Sequence, residues 1–411
     1  MESFSEKISD KIMSISEQKY LKSIKLGIIN AMPILQVLGI GIFMINVLMI
    51  CNLKISSTNL NILLLSYIVV NFIFFICLTY GVSYNLAEVY GLSKVKCGFL
   101  GILTSTIILV NQYVLYRMPT ISIYDFMLMV YFPTIIISIL TIELFRMFSK
   151  IKIKAEAIAN IPTAAITYIN DLIPVILIFM TTILLTMVFS FDWINILNII
   201  TIYVMKGLGS YIGMVLVVAV TSLFWMYGIH GVSIIGVIAR PFWIQMIIVN
   251  TFNFISGRAS AYIANEIFYQ WFVWIGGSGC TLGLVVLMRY SAKSNYLKAL
   301  GKDNLTTSLF NINESIIFGT PIVLNKKMMK PFLIAPVVCA TVSWFAIKSG
   351  LVTAPFILAP WVLPNIAGAF IATAGDLRAI LLCIILLIVS MIIYYPFFKS
   401  YDKSLLEEEN I

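Results

Sequence analysis

Ten runs of mostly apolar residues, each close to the length a helix needs to cross a hydrocarbon core, divide this chain almost end to end. A crossing takes about 20 such residues at the helical rise. The runs fall at about 27–50, 60–81, 97–114, 124–146, 172–191, 208–227, 242–256, 269–288, 331–349 and 377–397. Between them little chain remains for a soluble domain, and only 11% of the 411 residues are charged, with a mean hydropathy of +1.00. A soluble domain carries roughly 25%. The expected class is therefore an all-α integral membrane protein with about ten transmembrane helices.

Lys and Arg concentrate in alternate loops: Lys7 to Lys25, Lys94 and Lys96, Arg146 to Lys154, Arg289 to Lys302, then Lys399 and Lys403. By the positive-inside rule these loops and both termini are cytoplasmic. The formal charge of +9 is accounted for by that bias and calls for no nucleic-acid partner. The same parity leaves two stretches, near 303–328 and 350–376, that are too broken by Asn, Gly, Pro and charge to face lipid. Irregular backbone survives at membrane depth only inside protein or beside a water-filled cavity. Two re-entrant hairpins lining a polar cavity are expected.

Residues 1–26 carry apolar positions Phe4, Ile8, Ile12, Ile15 and Ile24 in a pattern suited to an amphipathic cytoplasmic segment at the membrane surface. The loop of about 146–171 is the expected divider. It separates a scaffold half, 27–170 completed by the helix of about 172–191, from a C-terminal half, 171–398, followed by a tail, 399–411. Six cysteines stand singly and present neither a disulfide framework nor a metal spacing, so no metal or cofactor is expected.

Polar candidates gather in the second half. His230, the one histidine, lies in "YGIHG" between Gly228 and Gly231. An ionisable side chain within a membrane is costly and points to function. "GGSGCTLGL" places Gly276, Gly277 and Gly279 in a turn before a helix starting near Thr281, with amides available to a ligand or, alternatively, glycines serving close packing. "GLGSYIG" over 207–213 reads as helix packing of the small-xxx-small kind. In "APFILAPWVLPNIAGAFIATAGDLRAI", Pro355, Pro360 and Pro364 preclude a continuous helix and flank Trp361, a membrane-belt residue or a platform for a sugar ring. "FNINESIIFGTPIVLN" brings Asn313 and Glu314 together with Gly319 and Pro321. Asp171, Glu266 and Asp376 are isolated charges that leave ion coupling open.

In order and wording, "YGIHG", "GGSGCTLGL", "FNINESIIFGTPIVLN" and "PWVLPNIAGAFIATAGDLRAI" resemble the membrane-embedded IIC component of bacterial phosphotransferase-system sugar transporters, in the lactose, cellobiose and chitobiose family. "YNLAEVYGLSKVKCGFLGIL" matches the N-terminal half more loosely. The resemblance implies a homodimer in the bacterial cytoplasmic membrane, built from a five-helix interface domain and an elevator-like transport domain. It implies import of a disaccharide that is phosphorylated as it is released. Glu314 and His230 match the pair beside the hydroxyl that receives the phosphoryl group, and Asn313 and Trp361 match further sugar contacts. Gly277 and Ser278 in the turn, with Asn250, complete the expected sugar-binding set. Glu314 is expected to be buried against that hydroxyl and to accept its proton.

The phosphoryl donor implied is a phosphocysteine on a separate cytosolic IIB protein, for which Lys293, Lys298, Lys302, Lys326, Lys327 and Lys330 offer a basic docking face or simply mark topology. The family reads Asn-Glu-Pro where this chain has Ser315, and Pro where it has Lys326. A Thr-Thr-Pro becomes Val362-Leu363-Pro364, and Gly-Gly-Asp-Trp becomes Ala374-Gly375-Asp376-Leu377. An Arg-Asp-Gly before the first crossing becomes Lys25-Leu26-Gly27. Two alternatives stay open: a facilitator or sugar sensor without phosphorylation, and a membrane enzyme acting on lipid-linked sugar.

Overall fold

A computed structural model describes residues 17–51, 57–114, 126, 128–152, 162–189, 191–320, 322–323, 325 and 327–409. The amphipathic segment expected over 1–26 thus lies mostly outside the described residues, as does Lys326. Fifteen α-helices are described: α1 Lys19–Ile50, α2 Ser57–Val89, α3 Lys94–Gln112, α4 Tyr131–Phe148, α5 Thr163–Ile183, α6 Trp193–Leu208, α7 Tyr211–Met226 and α8 Gly231–Ile255. Then come α9 Glu266–Phe272, α10 Leu282–Ser291, α11 Asn295–Leu309, α12 Glu314–Gly319, α13 Met329–Lys348, α14 Asn365–Ala372 and α15 Leu377–Glu409. Eight helices among the described residues are long and apolar enough to cross a membrane, and the α6–α7 pair, bent by 74° at Gly209–Ser210, is either a ninth, broken span or a re-entrant loop. The chain is an all-helical, multi-pass membrane protein.

Two compact units share these helices, one formed by residues 14–35 and 64–203, the other by 36–63 and 204–411. α1 serves both, and Pro33, which removes a helical hydrogen bond, lies near the point of division.

In the first unit a core of Leu86, Ala87, Cys97, Leu100, Ile142, Phe145 and Ile178 ties α2 to α3, α4 and α5. α1 and α2 approach backbone to backbone: a Cβ on Gly27 would lie 2.7 Å from the Val82 nitrogen, so only glycine fits. Glu143 collects a polar cluster beside this core, accepting from the Tyr20 hydroxyl at 2.7 Å, from the Tyr90 hydroxyl and from Arg146 Nη1 at 3.3 Å. Asp171 pairs with Lys96.

In the second unit, helices interlock through glycines. A Cβ on Gly283 would meet the Ser390 hydroxyl at 2.6 Å, one on Gly301 the Arg289 nitrogen at 2.6 Å, and one on Gly368 the Trp271 ring at 2.3 Å. α10 is thereby packed against α11 and α15, and α14 against α9. Such close approach compensates for the missing hydrophobic drive between helices in lipid.

Several elements differ from the sequence expectation. The crossing expected at 269–288 is not a continuous helix: α9 stops at Phe272 and α10 starts at Leu282, because Gly276, Gly277, Gly279 and Cys280 take φ of +76°, +91°, +82° and +56°. A helix cannot pass through four left-handed residues. α6 was missed as an element of its own. "GLGSYIG" holds a break, where the Ser210 hydroxyl donates to the Gly207 carbonyl and accepts from the Gly213 amide, capping α7, and its glycines serve close packing across that break, a Cβ on Gly213 lying 2.0 Å from the Gly207 carbonyl oxygen. The stretches 303–328 and 350–376 are interrupted as their Asn, Gly and Pro content requires. The first contains α11 and the short α12, and the second holds only the eight-residue α14.

Candidate functional site

The Asn313–Glu314 motif is docked on the glycine turn. Both hydrogens of the Asn313 amide are used there, one donated to the Ser278 carbonyl at 2.7 Å and one to the Thr281 hydroxyl at 2.7 Å. Thr281 passes its own proton to the Gly276 carbonyl at 2.8 Å, and the Gly276 amide donates to Asn311 Oδ1 at 3.0 Å. Asn311 and Thr281, neither singled out by sequence, therefore complete the dock. Their signal was the Asn-x-Asn spacing, which brings two side-chain amides to one turn when Asn311 adopts φ of +62°.

This geometry changes the reading of three expected sugar contacts. Two of the turn's amides are committed within the protein: Gly276 is taken by Asn311, and the Gly277 amide donates to the Trp274 carbonyl at 2.9 Å. Asn313 is 4% exposed and its NH2 is fully engaged by backbone and Thr281, so it positions its neighbour. Asn250, fully buried, donates to the Tyr262 carbonyl at 2.6 Å and accepts from the Ala261 and Tyr262 amides at 3.0 Å. It fixes the loop after α8 and, with no exposed surface, is turned to backbone and not to a cavity.

Glu314 is the first residue of α12 and is exposed, contrary to the burial expected of it. The reason is local. α12 has six residues, of which Ile316 and Ile317 are the buried pair, while Glu314 and Ser315, opening its first turn, stay exposed. Its carboxylate is thus presented and not consumed by the fold.

His230 caps α8, its Nδ1 accepting from the Ser233 amide at 3.1 Å. That bond selects the neutral tautomer with its proton on Nε2. Gly228 has φ of +79°, and Gly231 lets α8 start against α7, where a Cβ would lie 2.2 Å from the Thr221 carbonyl oxygen. The glycines beside His230 thus serve the turn and the close approach of two helices. The exposed imidazole sits 4.5 Å, centroid to centroid, from the Trp225 ring, whose Nε1 is buried without a hydrogen-bond partner among the described residues. Trp225 was not a sequence candidate. Its signal was one helical turn of separation from the "GIHG" turn.

The turn before His230 has a neighbour in the stretch after α12. Gly228 faces the segment that follows α12, a Cβ there lying 3.6 Å from Val323 Cγ1. Trp361 stands 60% exposed in the separate turn Pro360–Leu363, which α14 anchors through Asn365 Nδ2 to the Trp271 carbonyl at 2.9 Å.

The three isolated carboxylates all have basic partners. Asp171 pairs with Lys96, Glu266 with Arg240, and Asp376 with Arg378. Asp376 also accepts from the Thr353 amide and hydroxyl at 2.9 Å, closing the 353–376 stretch at its base. Burial pushes the Asp376 carboxyl up, but the Arg378 guanidinium and both Thr353 donors outweigh it and hold it down at about 2.

Gly277→Ala is expected to damage the dock. Alanine is strained at φ of +91°, and its Cβ would fall 2.4 Å from the Asn313 Oδ1. The strain alone costs about 1–3 kcal/mol, so a lowered melting temperature in detergent together with weaker sugar binding is the expected pair of results.

The family model described as "Phosphotransferase system, EIIC" matches residues 25–336. The chain is 32% identical to the Lichenan permease IIC component of Bacillus subtilis (strain 168), covering 80% of this chain and 76% of that protein. It is 29% identical to the PTS system cellobiose-specific EIIC component of Geobacillus stearothermophilus, covering 100% and 96%. Among solved structures, the transporter ChbC, the IIC component from the N,N'-diacetylchitobiose-specific phosphotransferase system, superimposes with a TM-score of 0.84 at 26% identity, covering 100% of this chain and 99% of that one. With three quarters of its length inside the family match and its fold shared end to end with a solved IIC component, this chain belongs to the EIIC family of the phosphotransferase system.

Proposed function

We propose that the protein imports a β-linked disaccharide of the cellobiose, chitobiose or lactose type across the bacterial cytoplasmic membrane and presents one hydroxyl for phosphorylation by a separate IIB protein. The observation that carries this reading is the exposed Glu314 carboxylate on a helix docked to the glycine turn, in the same compact unit as the turn that holds His230 against Trp225.

Each group has a role that its geometry allows. Trp225, 3% exposed, backs the imidazole, and the His230 Nε2–H suits a sugar oxygen. Glu314 accepts the proton of the acceptor hydroxyl as its oxygen bonds to phosphorus, while the bond from phosphorus to the donor cysteine sulfur breaks and the thiolate departs with IIB. Positioning carries most of the catalysis in such a transfer. Trp361, exposed on its own turn, offers its face to the apolar side of a pyranose ring and closes on sugar when the transport domain moves.

IIB docks, in this reading, on the cytoplasmic basic face. Lys327 and Lys330 line a cleft of about 640 Å³ with Phe397 and Ser400, and Lys298 and Lys302 follow on α11. An acidic partner carrying a phosphoryl group is favoured there by charge. The protein works as a homodimer through its N-terminal unit.

Uptake of radiolabelled disaccharides into vesicles, with and without phosphorylated IIB, tests the proposal. Phosphosugar appearing inside only with IIB is the expected result. Free sugar accumulating at the same rate without IIB overturns it in favour of a facilitator, to which Ser315 and Lys326 would then belong. Trp225→Phe, which keeps an aromatic ring against the imidazole at a position only 3% exposed, is expected to leave the fold intact and to weaken sugar binding severalfold by shifting His230. Titration calorimetry on the purified protein measures it.

A further inference from the structure

α15 is 33 residues long. At 1.5 Å per residue it extends well past the 20 or so residues of a crossing. Its overhang carries Asp402 and Glu409, seven residues apart and so on one helical face. Both fold back on the start of α11.

Asp402, 4% exposed, accepts from the Lys293 amide with both oxygens, at 3.0 and 2.9 Å, and from the Ser294 amide at 2.9 Å. Glu409 accepts from the Ser294 hydroxyl at 2.5 Å and from the Asn295 and Tyr296 amides at 2.9 and 3.1 Å. The orphan amides that open α11 are therefore closed by two carboxylates from the far end of the chain, with the helix dipole adding to each bond.

α11 leads directly to the dock, and its first turn reaches α12. The Tyr296 hydroxyl donates to the Gly319 carbonyl at 2.7 Å, and Leu300 packs on Gly319, 3.0 Å from where a Cβ would sit. The same α15 holds the other side of the dock. Its Tyr394 hydroxyl donates to the Gly279 carbonyl at 2.7 Å and its Ser390 hydroxyl to the Cys280 carbonyl at 2.6 Å. α12, six residues long, is too short to be stable alone. It is held at its start by Asn313 on the glycine turn and at its end by Tyr296.

We propose that α15 is a brace that keeps Glu314 in register with the glycine turn, with Asp402, Glu409 and Tyr296 as positioning residues for the phosphoryl-transfer step. The brace rests on Glu314 being the group that addresses the sugar hydroxyl. Removing a tail carboxylate frees the start of α11, lets Tyr296 leave Gly319, and allows α12 to rotate on Asn313. Sugar still enters, but its hydroxyl meets a displaced carboxylate.

The test uses the full-length protein with Tyr296→Phe, Asp402→Asn and Glu409→Ala, each alone and each with Glu314→Gln. Hydrogen exchange at the Ile316, Ile317 and Thr320 amides is expected to quicken about tenfold, the loss of one hydrogen bond. Sugar-dependent transfer from phosphorylated IIB is expected to fall about tenfold with sugar affinity unchanged, a rate effect of misplacement. In the Glu314→Gln background the tail variants are expected to cause no further loss. Unchanged exchange, or quickened exchange with transfer at the wild-type rate, overturns the brace. Glu314→Gln transferring normally overturns the Glu314 reading instead, and is seen in the single variant. Should the Asp402 variant fail to fold, Tyr296→Phe, which removes one exposed hydroxyl, still decides the matter.

Discussion

Glu314→Gln is expected to yield a folded protein that still binds sugar and transfers phosphoryl groups to it about 10²–10⁴ times more slowly, the range a positioned general base contributes. The separation of folding from chemistry follows from how α12 is held. Asn313 makes the dock, Ile316 and Ile317 fill the core, and Glu314 is exposed. Glutamine keeps the shape and the acceptor oxygen but cannot take the hydroxyl proton. Rapid-quench measurement of sugar phosphate formed per phosphorylated IIB, with calorimetry for sugar affinity, reads the two quantities apart. Loss of affinity and rate by the same factor would mean that Glu314 binds sugar without acting as base. Loss of folding would return it to the dock.

The contrast with Asn313 explains how much of the site was legible. Both residues sit in one motif, and a sugar site wants carboxylate and amide alike. Whether an asparagine faces ligand or backbone depends on what lies against it. For Asn313 that is a turn 35 residues earlier, and for Asn250 a loop 11 residues later. Sequence shows the residue type and not its partner. Glu314 and His230 differ from the asparagines in that the fold leaves both exposed, as the role proposed for them requires.

At the level of helices, hydropathy found the crossings whose apolar runs are unbroken and failed where backbone conformation overrules composition. The run 269–288 is as apolar as a true crossing, yet three glycines and Cys280 at positive φ open it into the turn that receives Asn313. A window of about 19 residues averages such a turn away. The glycines themselves were noticed, but they are equally suited to ligand approach, helix packing and left-handed turns. The neighbours that decide among these uses, Asn311, Asn313 and Phe332, are distant in sequence.

Glu266→Ala is expected to cause the largest loss of stability, about 3–5 kcal/mol, because it strands a buried guanidinium. Arg240 Nε and Nη2 both donate to Glu266 Oε1, at 2.8 and 2.7 Å, and the two side chains are 19% and 10% exposed. Trp243 and Tyr269, both fully buried with ring centroids 5.1 Å apart, lie one helical turn beyond each partner and keep water scarce. The pair joins α8, which begins at His230, to α9, which leads into the glycine turn. Its loss is therefore expected to reach the site as well as the melting temperature. Replacing both partners, as in Arg240→Met with Glu266→Leu, is expected to recover most of the stability, since an apolar pair avoids the cost of burying charge. Thermal unfolding of the two single variants and the double variant forms the cycle. If the double variant melts as low as Glu266→Ala, burial of an unpaired charge is not the cause, and Glu266 must hold α9 through the contacts of its own backbone and stem.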